Sequence, residues 1–178
     1  MRALAIGIVL TLAATAVVMA RQPAPRALPQ AAAAQAGAEE TKTFTSTADV
    51  QALLAKAKGE RKEGQVMVAE HILSLAPYTA NLEYRPVEGA VAVHEKEAEL
   101  IYVMDGGGTL TTGGKVVGEK RTNATNLSGT SIDGGKAQTV AKGDFAIIPE
   151  GTPHQFTPAN GPLVLMTFHV PRPVGDAH

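Results

Sequence analysis

The sequence predicts an all-β domain preceded by one short amphipathic helix. From Val66 onward, β-branched and apolar residues recur in short runs, and no helical period separates one run from the next. Gly 18 and Pro 11 punctuate those runs with turns, which suits a sandwich or barrel of many short strands. The chain has no cysteine, so a fold of this kind must rest on its apolar core, and 178 residues are enough to build one.

The N-terminus reads as an address. Met1-Arg2 is positive, Ala3 to Val18 is apolar and uncharged, and Val18-Met19-Ala20 offers a cleavage site. The run is shorter than the ~20 apolar residues that span a bilayer. Residues 1–20 are therefore expected to be a cleaved signal peptide, the mature protein periplasmic or secreted, and free of the membrane after cleavage. Residues 21–40 are rich in Ala, Pro and Gln without an apolar period and read as a disordered linker. The folded domain is expected over 41–178.

Ser46 and Asp49 have capping-box spacing, and Val50, Leu53, Leu54 and Ala57 follow at helical intervals. A helix over about 47–58 is predicted, with Gly59 as its stop. Strands are predicted at 66–73, 78–85, 87–94, 100–104, 109–112, 137–141, 145–148, 154–157 and 163–170. Within 78–85, Tyr78, Ala80, Leu82 and Tyr84 share a face. Gly113 to Lys136 breaks the rhythm with a polar, Gly-rich stretch, read as an inserted loop that is either a lid or a tolerated surface excursion. Its two glycosylation sequons, at Asn123 and Asn126, are too short a pattern to carry weight.

Composition excludes some functions. A formal net charge of −1 without a basic run argues against nucleic acid as a partner. No Trp, three Tyr and four Phe supply little for stacking carbohydrate or bases.

Two segments carry chemistry. In Gly143–Phe156, GDFAIIPEGTPHQF, a Gly-Asp turn enters an apolar strand, and a Pro-Glu-Gly-Thr-Pro corner then delivers His154 at the start of the next. Proline fixes φ and glycine permits φ > 0, so the corner sets the direction of that imidazole. Upstream, His94 and Glu99 stand five residues apart. An odd spacing puts them on opposite faces of a continuous strand, so they converge only if Glu95–Ala98 turns or bulges. Together the segments suggest a metal site.

These residues resemble the cupin superfamily. Gly143, Pro149, Gly151 and His154 fit every fixed position of the second cupin motif up to its histidine; the Asn that usually follows is Pro158 here. Glu99, LIYVMD and Gly106 match the second half of the first motif, and His94 takes its second-histidine position. The first-histidine position is Ala92, so one of four usual ligands is missing. The resemblance spans residues 92–158. It implies a cupin-type jelly-roll β-barrel, a homodimer through strand exchange or sheet packing, and a divalent transition metal held by His94, Glu99 and His154. Imidazole and carboxylate donors suit Fe, Mn, Zn, Ni or Cu. Three ligands leave positions open for water or substrate, as in facial-triad iron and catalytic zinc sites.

Two readings follow. One is a metalloenzyme of the bacterial envelope acting on a small molecule, dioxygenase-like or isomerase-like. The other is a non-catalytic module that binds or senses a small ligand without a catalytic metal, and Ala92 is the kind of change that accompanies such a loss. If Thr157–Pro162 is a hairpin loop, His154 pairs near Thr167, and alternation puts Leu165, Thr167 and His169 on its inward face. His169 is then an additional ligand, a base near the metal, or a rim residue. Tyr84, Arg85, Lys96 and Gln155 are candidate substrate contacts. Tyr102, opposite in parity to Glu99, is expected in sheet packing or a dimer contact, and His71 and His178 are expected to take no part in chemistry.

Overall fold

The computed structural model describes residues 41–172. Contacts divide the chain into two units, Met1–Ala38 and Glu39–His178, and the described residues fall in the second. The expected signal peptide, the linker and His178 lie outside the described residues.

Helix α1 (Thr47–Glu60) begins where the sequence places it, with Ser46 and Asp49 closing a reciprocal capping box. It runs through Gly59 to end at Arg61, whose extended backbone stops it. Thirteen strands follow: β1 (Val68–Leu75), β2 (Tyr78–Arg85), β3 (Val91–His94), β4 (Glu97–Asp105), β5 (Gly107–Thr112), β6 (Lys115–Val117), β7 (Lys120–Arg121), β8 (Asn126–Gly129), β9 (Ser131–Asp133), β10 (Lys136–Ala141), β11 (Phe145–Ile148), β12 (His154–Pro158) and β13 (Leu163–Pro171).

They form a five-stranded sheet in the order β1-β2-β13-β4-β11 and a six-stranded sheet in the order β10-β5-β12-β3-β8-β7, with β6 and β9 as a separate ribbon. Ladders within the two sheets are antiparallel. From β3 to β5, and again from β10 to β13, the chain steps from one sheet to the other at every connection, the path of a jelly roll. The all-β jelly roll with one helix is thus as expected; its ladders form two facing sheets that do not close into a barrel.

Ile101, Val103, Ile148, Leu163 and Leu165 from one sheet pack against Leu110, Val140 and Phe156 from the other to fill the interior. A second cluster lies outside the five-stranded sheet, where Val50, Leu53, Leu54 and Ala57 of α1 cover Ala80, Leu82 and Val164. Gly106 sits at a crossing between the sheets with φ +76, where a Cβ would collide with the Pro162 carbonyl; this is the steric reason for glycine at the end of the first motif.

Two expectations need correction. Residues 113–136 do not form an open loop: β6 and β9 pair as a ribbon, and β8 joins β3 inside the six-stranded sheet. Each strand there has four residues or fewer and a polar composition, so no period was visible. Nor do β12 and β13 form a hairpin pair. β12 lies between β5 and β3, whereas β13 lies between β2 and β4 in the opposite sheet. The parity argument survives, because Leu165 and Thr167 are buried in the interior while Met166 and Phe168 pack on the helix side.

Candidate metal centre

Four short segments bring the candidate ligands together at one end of the interior. β3 ends at His94 and β4 begins at Glu97, so Glu95-Lys96 makes the bend that the five-residue spacing demanded. The bend carries the chain between sheets, and His94 and Glu99 therefore face each other from opposite layers. The Pro149–Pro153 corner is tied down by its main chain: the Gly151 N–H, at φ +69, donates to the His94 carbonyl at 2.8 Å, and the Gly113 N–H donates to the Pro153 carbonyl at 2.8 Å. His154 is then delivered opposite Ala92 in the β12–β3 pairing.

Glu99 is buried at the centre. Its Oε2 lies 2.9 Å from His154 Nε2 and 3.7 Å from His94 Nε2. The other ring nitrogens fix which atoms carry protons. His154 Nδ1 donates to the Thr152 carbonyl at 3.2 Å, and His94 Nδ1 donates to Asn126 Oδ1 at 3.2 Å. In the neutral rings both Nε2 atoms therefore present lone pairs toward the carboxylate. Glu99 Oε2 is buried and, despite the 2.9 Å approach, makes no aligned hydrogen bond. Three acceptor atoms converge with nothing between them to share. That arrangement is repulsive unless a proton or a cation sits among them, and it fits a divalent metal.

The electrostatics point the same way. Burial holds the His94 imidazolium pKa below the ordinary histidine value; Glu99 pulls it up, but not enough to offset burial and the neighbouring His154 and His169. Burial pushes the Glu99 carboxyl up, yet the close approach of His154 and the charges of His94 and His169 outweigh it and leave the pKa below the ordinary carboxylate value. The site favours an ionised carboxylate beside a neutral His94, the protonation states that metal ligation requires.

His169 reaches this end of the interior from β13, paired in register with Glu99. Its Nε2 stands 4.0 Å from Glu99 Oε1, its ring meets His94 edge-on at 4.8 Å, and its Nδ1 lies 3.2 Å from Glu97 Oε2. Two overlapping groups have ligand atoms within 4.8 Å of one another: His94, Glu99 and His154, and His94, Glu97 and His169. Glu97 was not singled out in the sequence. Its parity with Glu99, two residues on along β4, was the available signal.

The other candidates separate. Tyr84 packs in the helix-side cluster, with Lys58 over its ring, and is remote from this interior face. Gln155 turns away from it, donating to the Gly89 carbonyl at 2.9 Å. The Lys96 carbonyl accepts from the Arg172 N–H at 2.8 Å, and Lys96 is not among the residues lining the cavity that holds His94. Arg85 lines a cavity with His94. Tyr102 lies against Phe145 on the outer face, with ring centroids 4.6 Å apart, and His71 is in neither ligand group.

No family model matches the chain, and no curated protein does. Solved structures of similar fold include an uncharacterised double-stranded β-helix protein from Klebsiella pneumoniae (17% identity, 65% of this chain and 85% of that chain, TM-score 0.47). KdgF from a Halomonas species is another (13% identity, 64% and 87%, TM-score 0.46). A third is FeII HppE (16% identity, 61% and 53%, TM-score 0.48), of which this chain spans about half the length. These likenesses concern the fold alone. By its strand order the chain is a jelly roll, and its two motifs resemble those of the cupin superfamily.

Proposed function

We propose that the protein is an exported metalloenzyme that binds one divalent transition metal through His94, Glu99 and His154 and acts on a small molecule. The observation that carries this reading is the buried Glu99 Oε2, which lies 2.9 and 3.7 Å from the Nε2 atoms of His154 and His94 and has no hydrogen-bond partner. A bound metal would supply Lewis acidity and open positions for a substrate oxygen, with Fe, Mn, Zn, Ni and Cu all compatible with these donors. The chain's residues divide the remaining work. Asn126 and the Thr152 carbonyl orient the two rings, and the jelly-roll interior keeps Glu99 dry. His169, whose Nδ1 lies 3.2 Å from Glu97 Oε2 without an aligned hydrogen bond, is placed to complete the ligand set or to move a proton beside it.

Export follows from the features of residues 1–20, and a dioxygenase-like or isomerase-like reaction from the cupin resemblance. A homodimer is part of the same proposal. β11 is an edge strand on which Phe145 is 69% and Ile147 64% exposed beside Tyr102, and a second copy would cover them.

Elemental analysis of protein purified without chelators or a His tag tests the site. About one transition metal per chain is expected; His154→Ala and Glu99→Ala should abolish uptake, and His71→Ala should leave it intact. A wild type that stays metal-free and gains no thermal stability from any of the five metals would sink the enzyme reading. It would favour the alternative raised by Ala92, a metal-free module that binds a small ligand.

A further inference from the structure

Beside the metal site lies a cavity of about 250 Å³, just below the usual range of ligand pockets and suited to a small occupant. Its lining includes His94, Ala92, Asn126, Ser128, Gly89 and Arg85. Ala92 stands directly opposite His154 in the sheet. The position where the cupin pattern places a ligand is thus a methyl group, and the space a histidine ring would fill remains part of the cavity. Arg85 marks the other feature of the lining. It shares the inward face of β2 with Glu83, whose carboxylate takes Nε at 2.8 Å and Nη2 at 2.7 Å and also accepts from buried Thr167. The guanidinium carbon stacks 5.3 Å from the Phe156 ring centroid. Nη1 has no hydrogen bond among the described residues, and a Cβ on Gly89 would come within 2.9 Å of it. A purely structural ion pair accounts for Nε and Nη2. It does not account for a stacked, immobilised guanidinium that keeps one nitrogen open beside a cavity shared with a metal ligand.

We propose that this cavity is the substrate pocket and that its occupant is a small organic anion. One carboxylate would be read by Arg85, and a second oxygen donor would reach the open positions at the metal. Arg85 suits the first task because its planar donors match a carboxylate and its charge is permanent. Stacking on Phe156 and the clamp by Glu83 fix it before the ligand arrives, so little side-chain entropy is lost on binding. The proposal rests on the metal site above, and its test separates the two.

The test is calorimetric titration of L-malate, a dicarboxylate with a hydroxyl donor, into full-length protein whose metal content is measured in the same samples. L-malamide serves as the neutral counterpart. Three proteins are compared: wild type, the double variant Glu83→Gln/Arg85→Gln, which removes the pair together and strands neither charge, and Gly89→Ala, which keeps the charge and crowds Nη1. Malate should bind the wild type and malamide should not. Affinity should fall at least tenfold in the double variant and several-fold in Gly89→Ala, with one metal per chain throughout. Equal affinity in the double variant, equal binding of malamide, or no malate binding by metal-loaded wild type would overturn the anion pocket and leave the metal site standing. A metal-free wild type would remove the metal reading, and this proposal with it.

Discussion

The two ends of the jelly-roll interior are built alike and filled differently. At one end the inward residues of β4, β13 and β12 are Ile101, Val103, Leu163, Leu165 and Phe156, all buried and mutually packed. At the other end the same strands present Glu99, His169 and His154, joined by His94 from β3. Within two to four residues along each strand the lining changes from apolar to ionisable. Apolar packing and ionisable groups are therefore segregated along the strand axis, and the apolar end must hold the backbone on which the polar end is built.

Substitution at the apolar end should give the largest effect on stability. Leu165→Ala removes a fully buried side chain between the sheets and should cost about 2–5 kcal/mol in urea denaturation, with metal stoichiometry retained in the folded fraction. A loss below ~1 kcal/mol would mean that this end is loosely packed and the contrast is false. Asn126→Ala acts at the polar end, where it frees His94 to rotate. Metal affinity should drop about 10- to 100-fold, read by competition with a chelator, while the denaturation midpoint of the metal-free protein barely moves. An unchanged affinity would show that His94 is held by its sheet alone.

The smallest expected effect is a pH dependence confined to the polar end. His94 in the fold has a pKa below its ordinary 6.5, so the unfolded chain takes up that proton first. Its contribution to the metal-free fold is complete above pH 6.5 and is lost as pH falls below it toward the folded value. Glu99, with a folded pKa below the ordinary 4.5, adds a further loss at more acid pH. Denaturation at pH 7.5, 5.5 and 4 should show stability falling stepwise, with the upper step removed by His94→Gln. A flat profile from pH 7.5 to 5.5 would show that fold and unfolded chain bind that proton equally.

Much of this contrast could be read from the chain. Strand β11 was bounded at both ends because a glycine turn and a proline stop enclose an apolar run. The convergence of His154, Glu99 and His94 was legible because their motifs are contiguous and contain their own turns. His169 was reached by alternation through a pairing that does not exist: a strand keeps its inward parity whichever neighbour it has, so the face was right and the partner wrong. The same rule, applied to His154, would have turned Gln155 away from the pocket, and Leu82 would have taken Tyr84 to the helix side. β8 was illegible for a different reason. Asn126-Leu-Ser-Gly has no apolar period, and its place in the sheet comes from backbone bonds to β3 about thirty residues away. That long-range pairing is also what supplies Asn126 to His94.

The bond from the Gly151 amide to the His94 carbonyl has a practical consequence. It joins the two segments that carry the candidate ligands main chain to main chain, and such a bond is indifferent to the side chains on either residue. The corner should keep its register when the imidazoles and the carboxylate are exchanged for thiols or other donors. The site is in that sense a socket with interchangeable pins, a starting point for redesign toward ions that the native donors do not prefer.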